Sequence, residues 1–239
     1  PDWLLLHDGK PWYCGSNWGG FYALDIDNAE FVRYLEQTFS LVLDDWGFDL
    51  VKLDFLYAAA PFGDVRESRA GRMTRAMELL RRLCGDKLIL GCGVPLMPSF
   101  GLVDYCRISC DVGLDWDNSL IMRHTNRERV STRQAIGNSI SRRQLNGRAF
   151  GNDPDVFFLR ESNIRLSETD KYKLAVVNSL FGTLFLTSDN MGEYGSEAAA
   201  LYERLRTLSE RAENIRVDTD NGLTVYLSLI HISEPTRQE

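Results

Sequence analysis

Short apolar runs alternate with longer segments of helical periodicity through most of the 239-residue chain. The six predicted strands are FYALDI (21–26), DLVKLDF (49–55), KLILGCG (87–93), DYCRISCD (104–111), VFFL (156–159) and TLFLTS (183–188). Apolar residues at helical spacing fill much of the sequence between and after them, as in 29–47, 66–85, 127–145, 169–182 and 196–212. This alternation predicts βα units around a parallel sheet, in the α/β fold class.

Two architectures fit such a sheet, a doubly wound sheet and a (β/α)8 TIM barrel. No Gly-rich GxGxxG or GxxxxGK[ST] loop follows a strand, which disfavours nucleotide binding by a doubly wound sheet. Polar residues also cluster at the carboxyl ends of strands, where barrel enzymes place their chemistry. They are Asp25, Asp54, Asp111, Ser188 and Asp189. We therefore expect residues 1–212 to form strands 3 to 8 of a barrel, with its first strands lying before Pro1.

The last part of the chain changes character after the helical segment at 196–212. The stretch RVDTDNGLTVYLSL combines a turn signal with a strand pattern, so residues 213–229 are expected to start a C-terminal β-sandwich domain. Residues 230–239 have no obvious periodicity, and we interpret them as a non-native tail.

Charge and composition narrow the choice of partners. The net charge is −7, from 27 basic and 34 acidic residues, which disfavours nucleic acid or an anionic membrane as a partner. No apolar run reaches the roughly 18 to 20 residues of a membrane span, and the start does not resemble a signal peptide. We expect a cytoplasmic protein that binds a small neutral ligand; a homo-oligomer is compatible with this reading.

Cysteine and histidine spacing gives no metal site. The five cysteines include no CxxC pair, and the three histidines stand apart from one another and from the cysteines. We therefore expect free thiols, no metal and no cofactor.

The strand DLVKLDF carries two charges in an apolar run. Because side chains alternate across a strand, Lys52 and Asp54 share one face with Leu50, and Val51, Leu53 and Phe55 share the other. The apolar face is expected to pack on helices, so Lys52 and Asp54 point into the barrel. A desolvated ion pair is poor evidence of stability, which favours a functional role over a structural salt bridge.

A second charged strand, DYCRISCD, has the same construction. Tyr105, Arg107, Ser109 and Asp111 share one face, and Cys106, Ile108 and Cys110 share the other. Alternate barrel strands supply the same interior layer, so Asp54 and Asp111 are expected to face each other. Paired carboxylates about 5 to 5.5 Å apart serve retaining glycosidases, and about 6.5 to 9.5 Å apart serve inverting ones. The sequence leaves this separation open.

The neighbours of each carboxylate suggest its task. Lys52 would keep Asp54 charged, as a nucleophile requires, and Asp111 would hold the proton of an acid/base, oriented by Arg107. Asp115 and Asp117, on either side of Trp116, remain rival candidates for the acid.

Several long motifs resemble those of glycoside hydrolase family 36, the α-galactosidases. WGFDLVKLDFLYAA is similar to the nucleophile strand of that family, and GLVDYCRISCDVGLDWD is similar to its acid/base strand. GCGVPLMPSFG, GNDPDVFFLR and FLTSDN resemble further strands in the same order, so that the resemblance covers roughly residues 1–229.

The resemblance implies a retaining α-galactosidase that acts on α-galactoside oligosaccharides. Asp54 is then the nucleophile, Asp111 the acid/base, and Lys52 and Arg107 ligands of sugar hydroxyls. Further substrate-binding residues are expected to be Cys92, Trp18, Asp115 and Trp116.

Four alternatives remain open. Two are chemically close to an α-galactosidase, namely a galactosyl transferase of the raffinose-synthase type and an α-N-acetylgalactosaminidase. The others are a Schiff-base lyase that uses Lys52 and an inactive carbohydrate-binding fragment.

Overall fold

The computed structural model describes residues 2–15, 19–117, 130–218 and 224–229. The strands are β1 (Leu6–His7), β2 (Lys10–Pro11), β3 (Tyr13–Gly15), β4 (Phe21–Tyr22), β5 (Leu50–Leu53), β6 (Leu88–Gly91), β7 (Tyr105–Arg107), β8 (Gly151–Asp153), β9 (Val156–Phe157), β10 (Leu186–Thr187), β11 (Ala212–Asp218) and β12 (Thr224–Leu229). The α-helices are α1 (Ala29–Ser40), α2 (Arg69–Cys84), α3 (Thr132–Ser141), α4 (Glu168–Phe181) and α5 (Ser196–Arg211).

Side-chain caps fix where the helices begin. The Asn28 carboxamide oxygen accepts the N–H groups of Glu30 and Phe31, at 2.9 and 3.0 Å. Serine side chains cap three other helices in the same way, namely those of Ser68, Ser131 and Ser167. Each cap satisfies a backbone donor that has no partner within the helix.

A four-stranded parallel sheet is the centre of the fold. Its order is β5-β6-β7-β8, so each strand pairs with the next one along the chain. Such an order without a reversal is that of a barrel wall, whereas a doubly wound sheet reverses at a switch point. The predicted α/β class with a parallel sheet is confirmed, and closure of the complete barrel stays a prediction.

The strand predicted at 156–159 is the second half of an interrupted strand. Its first half, β8, pairs with β7, and its second half, β9, pairs in parallel with β10. Pro154 and Asp155 separate the halves, and Asp155 has a φ of 79°. None of the six predicted strands covers β8 (Gly151–Asp153), so the sequence pattern missed this half. A proline and a left-handed residue do break the strand here, but chain pairing continues on both sides.

The first predicted strand, FYALDI, is not a strand of the parallel sheet. Only Phe21–Tyr22 is extended, and it pairs antiparallel with Tyr13–Gly15. Asp25 follows this small sheet and binds Arg72 of α2 at 2.7 Å. The sequence prediction was therefore wrong about the partner and direction of this strand.

The two faces of the parallel sheet differ as the alternation predicts. Val51 and Leu53 pack against the larger apolar cluster, which also contains the fully buried Ile89, Cys106 and Ile108. The opposite face carries Leu50, which is 37% exposed, and its register partner Leu88, also 37% exposed. The polar side chains of the candidate site lie on this second, open face.

A second apolar cluster packs α4 and α5 against β9, around Phe157, Leu174 and Leu205. After α5 the chain forms an antiparallel hairpin of β11 and β12. The division of the chain into a barrel and a β-rich domain stays a prediction. Among the described residues, none of the helices combines the length and apolar character of a membrane span.

Candidate active site

Asp54 lies directly after β5, at the carboxyl end of the strand. One carboxylate oxygen accepts the N–H of Phe55 at 2.7 Å, and the other lies 3.9 Å from Nζ of Lys52. Both side chains are a little under half exposed, at 43% for Asp54 and 45% for Lys52. The Asp54 carboxylate is therefore held by its own backbone and by a cation, and remains open to a ligand.

The chain turns sharply beyond Asp54, since Phe55 has a φ of 54°, which is unusual for a large side chain. The neighbouring loop after β6 approaches this turn closely. A Cβ atom at Gly93 would lie 3.1 Å from the Phe55 nitrogen and Cα, and 3.5 Å from an Asp54 oxygen. The N–H of Tyr57 also donates to the Gly93 carbonyl at 2.8 Å. Gly93 is thus required for the position of Asp54.

Cys92 adds a thiol to this cluster. It is buried, and burial raises the pKa of the thiol to about 12, against an opposing effect of Arg107. The neighbouring Asp54 carboxylate adds to this rise in the pKa of the thiol. Cys92 therefore connects Asp54 electrostatically with Arg107 on the next strand, β7.

The guanidinium of Arg107 binds three carboxylates. Its Nε lies 2.9 Å from Asp153, its Nη1 2.8 Å from Asp111, and its Nη2 2.8 Å from Asp155. Burial disfavours the charged form, but Asp153 and Asp155 still raise the pKa of Arg107 above its ordinary value. The side chain is only 6% exposed, so this cation is fixed in place.

The carboxylates around Arg107 differ in exposure. The side chain of Asp153 is completely buried and that of Asp155 is 9% exposed, whereas that of Asp111 is 54% exposed. Asp153 is the register partner of Arg107 in the sheet, which explains their contact. Asp111 alone of these three presents its carboxylate substantially to solvent, as a group that contacts a substrate must.

Asp153 and Asp155 were not among the predicted site residues. Turn chemistry alone can account for the NDPD segment (152–155) in the sequence, and nothing local links it to Arg107. A signal was present, because two acids beside a proline at a strand end exceed what a turn requires.

The remaining predicted residues lie further along the loop after β7. Asp115 pairs with Arg165 at 2.9 Å, and Trp116 packs against the second apolar cluster with Lys173 over its ring. Asp117 accepts a hydrogen bond from Ser131 at 2.7 Å. Trp18 lies outside the described residues. The structure thus groups Lys52, Asp54 and Cys92 with Arg107 and Asp111, and gives Asp115 and Trp116 other partners.

The two candidate catalytic carboxylates occupy alternate strands of one sheet, because β6 lies between β5 and β7. The backbones of β5 and β7 are therefore two strand spacings apart, or roughly 9.6 Å, and side chains that lean toward each other bring their carboxylates closer than this. The arrangement suits two carboxylates on either side of one bond. Within the described ranges, His, Cys, Asp and Glu side chains form no group of three placed to hold a metal ion.

Comparison with solved structures identifies proteins of similar fold. The α-galactosidase of Thermus thermophilus in complex with stachyose has a TM-score of 0.75 and 32% identity, over 86% of this chain and 44% of that chain. Its complex with p-nitrophenyl α-D-galactopyranoside matches with the same score and identity, over 91% and 44%. The present chain thus spans less than half the length of that protein.

A more distant match is α-galactosidase I from Mortierella vinacea, with a TM-score of 0.58 and 14% identity over 79% of this chain and 51% of that chain. At this identity the likeness shows the fold alone. No protein-family model matches the chain. The identity to the Thermus thermophilus protein over most of this chain, with the shared fold, shows that the chain belongs to the α-galactosidases of glycoside hydrolase family 36.

Proposed function

We propose that the protein is a retaining α-galactosidase that releases terminal α-linked galactose from oligosaccharides. The observation that carries this proposal is the pairing of two accessible carboxylates on alternate strands. Asp54 is held by Lys52 and Cys92, and Asp111 is held by Arg107. The family relationship supports the choice of an α-galactoside as substrate, since the Thermus thermophilus protein was solved with two such compounds.

In the first step, Asp54 attacks the anomeric carbon of galactose. The bond between this carbon and the leaving oxygen breaks while Asp111 transfers its proton to that oxygen, and a galactosyl ester forms on Asp54. Asp54 is suited to this step because its carboxylate lies at the end of the strand, 3.9 Å from the Lys52 ammonium, and is 43% exposed, so that a sugar can reach it.

In the second step, Asp111 accepts a proton from water, and the resulting hydroxide attacks the anomeric carbon. The bond to Asp54 breaks, and galactose leaves with its original configuration. Asp111 can serve both steps because its carboxylate is exposed on one side and anchored by Arg107 on the other.

The surrounding cations have separate tasks. Lys52 is 45% exposed, so its ammonium can also donate to a sugar hydroxyl. Arg107 is 6% exposed, and its three kinds of nitrogen each contact a carboxylate. This favours a role for Arg107 in orienting Asp111.

Hydrolysis of p-nitrophenyl α-galactoside by the protein, expressed from its full coding sequence, tests the proposal. Asp54→Ala should abolish turnover, and added azide should then give β-galactosyl azide, because azide enters from the vacated face. Asp111→Ala should retain the most activity on substrates with very good leaving groups, which need little acid assistance. Wild-type turnover in Asp54→Ala would contradict the proposal.

Product analysis separates hydrolysis from its nearest relatives. Galactose transferred to sucrose, in place of free galactose, would indicate a transferase of the raffinose-synthase type. Preference for a substrate with an acetamido group at the 2-position would indicate an α-N-acetylgalactosaminidase.

A further inference from the structure

Arg107 is one cation among three carboxylates, and the sequence motifs predict a role for only one of the three, Asp111. Asp111 is the acid/base of the proposed reaction, and Asp153 is the cross-strand partner of Arg107. Asp155 is different, because it reaches Arg107 from the break between β8 and β9. A left-handed residue at a strand break costs backbone free energy, so its position calls for a reason.

The second oxygen of Asp155 supplies that reason. It accepts the backbone N–H of Val112 at 2.7 Å, and Val112 directly follows Asp111. The Asp155 carboxylate therefore contacts both the cation that binds Asp111 and the backbone that carries Asp111. Its own N–H donates to Asp153 at 2.9 Å, which fixes the loop.

We propose that Asp155 is a positioning residue for Asp111: it anchors the backbone just beyond Asp111 and shares the Arg107 guanidinium with it. This inference rests on the proposed function, because it concerns the proton that Asp111 delivers. An arginine paired with Asp111 alone would stabilise the ionised form and weaken the acid. Division of the guanidinium among three carboxylates reduces that effect.

The groups around Asp155 act in opposite directions. Burial raises the pKa of Asp155, Arg107 and the Val112 N–H lower it, and the charge of Asp111 raises it again. These effects come from both sides of the Asp155 carboxylate, which lies between the Arg107 guanidinium and the backbone of Val112. Further groups that face this cluster include Asp153 from β8, the Cys92 thiol after β6, the Cys106 and Cys110 thiols of the β7 segment, and the N–H of Val156.

The test is the pH dependence of kcat/KM for an aryl α-galactoside with Asp155→Asn. Asparagine tolerates positive φ and can still accept the Val112 N–H, so the substitution removes the charge and keeps the loop. The basic limb of the profile, which reports loss of the acid proton, should move to lower pH by about one unit. The acidic limb, which reports ionisation of the nucleophile, should stay in place. A profile with an unmoved basic limb would overturn the proposal.

Asp104→Asn is the matched control. Asp104 lies at the other end of β7 and also accepts one backbone N–H, from Ile89 at 2.8 Å, and one arginine, Arg81 at 2.6 Å. Its replacement should lower thermal stability and leave both limbs where they are. If the basic limb also shifts in this control, the effect comes from a general destabilisation of β7 and is not specific to Asp155.

Two further measurements test the proposal if Asp155→Asn does not fold or if the wild-type protein shows no turnover. Asp155→Gly also removes the charge and adopts positive φ without strain. In the wild-type protein, the Val112 N–H that Asp155 accepts should exchange slowly with deuterium, and it should exchange faster in Asp155→Gly. Equal exchange in the two proteins overturns the anchoring by Asp155. Absence of turnover in the wild type, together with this difference in exchange, contradicts the proposed function alone.

Discussion

The buried thiol of Cys92 lies beside the carboxylate of Asp54. Burial first, and then the Asp54 carboxylate, raise the pKa of the thiol to about 12, so the thiol stays neutral across the working range of pH. Cys92→Ala leaves space beside the nucleophile and should lower kcat/KM for an aryl α-galactoside about fivefold, or roughly 1 kcal/mol. Cys84→Ala, which removes a thiol buried in the apolar core, is the control and should lower thermal stability only.

The same burial predicts the reactivity of Cys92. A protonated, buried thiol is a poor nucleophile, so Cys92 should resist iodoacetamide at pH 8 in the folded protein and react after denaturation. Peptide mass spectrometry gives the readout. Rapid alkylation of Cys92 in the folded protein would mean that the thiol is exposed or ionised, contrary to its burial beside Asp54.

Gly93→Ala tests the close approach of two loops at the nucleophile. The added methyl group meets the Phe55 backbone at 3.1 Å and also requires a φ of 59°, so we expect at least a hundredfold loss of kcat, on the order of 3 kcal/mol, as Asp54 is displaced. Gly101→Ala is the control, because Gly101 has a similar φ of 72° but open space around it. Both variants should lose roughly 1 kcal/mol of stability, and activity should fall only in Gly93→Ala. Equal activity in the two variants would contradict this account.

Arg107→Lys tests the central cation. Lysine keeps the charge but cannot bond three carboxylates in a plane, so the buried carboxylates of Asp153 and Asp155 lose their hydrogen bonds to the guanidinium and keep only their backbone donors. The expected cost is about 3 kcal/mol of unfolding free energy, measured by urea denaturation. Arg81→Lys, at a single carboxylate in a side chain that is 25% exposed, should cost about 1 kcal/mol. A similar cost at both positions would show that the three-way pairing adds little.

The surface pair of Asp27 and Arg75 gives stability a pH dependence. The hydrogen bond from Arg75 holds the pKa of Asp27 below its usual value of 3.8. The stabilisation is therefore fully present above about pH 3.8 and is lost as the pH falls through the lowered pKa. At pH 7 the unfolding free energy of Asp27→Asn should be lower than that of the wild type by less than about 1 kcal/mol, and its unfolding temperature should be slightly lower. Both differences should vanish in acid.

Thermal denaturation from pH 7 to pH 3 measures this effect. Glu36→Gln, at an exposed position, makes the same change in net charge and serves as the control. A difference between wild type and Asp27→Asn that persists unchanged at the lowest pH would contradict the linkage.

The sequence alone was sufficient where the information is local. Alternation along 50–55 predicted that Val51, Leu53 and Phe55 pack on helices and that Lys52 and Asp54 share the other face. The structure confirms this for Val51 and Leu53 and for the pair of Lys52 and Asp54, whereas Phe55 lies in the turn after the strand and packs on Phe21. The reason is geometric, because a strand has a fixed period of two and one apolar face must be buried. The same regularity predicted the α/β class from alternating strand and helix patterns.

The tertiary structure decided what depends on residues far apart in the chain. FYALDI has a strand pattern, but the pattern does not encode its partner, and the segment joined an antiparallel sheet. Asp155 is a turn residue by its local chemistry, and only pairing of β8 with β7 and of β9 with β10 brings it to Arg107. Gly93 approaches Asp54 for a similar reason, since their strands are neighbours. The sequence thus determined which side chains face the site, and packing between distant strands decided which of them touch.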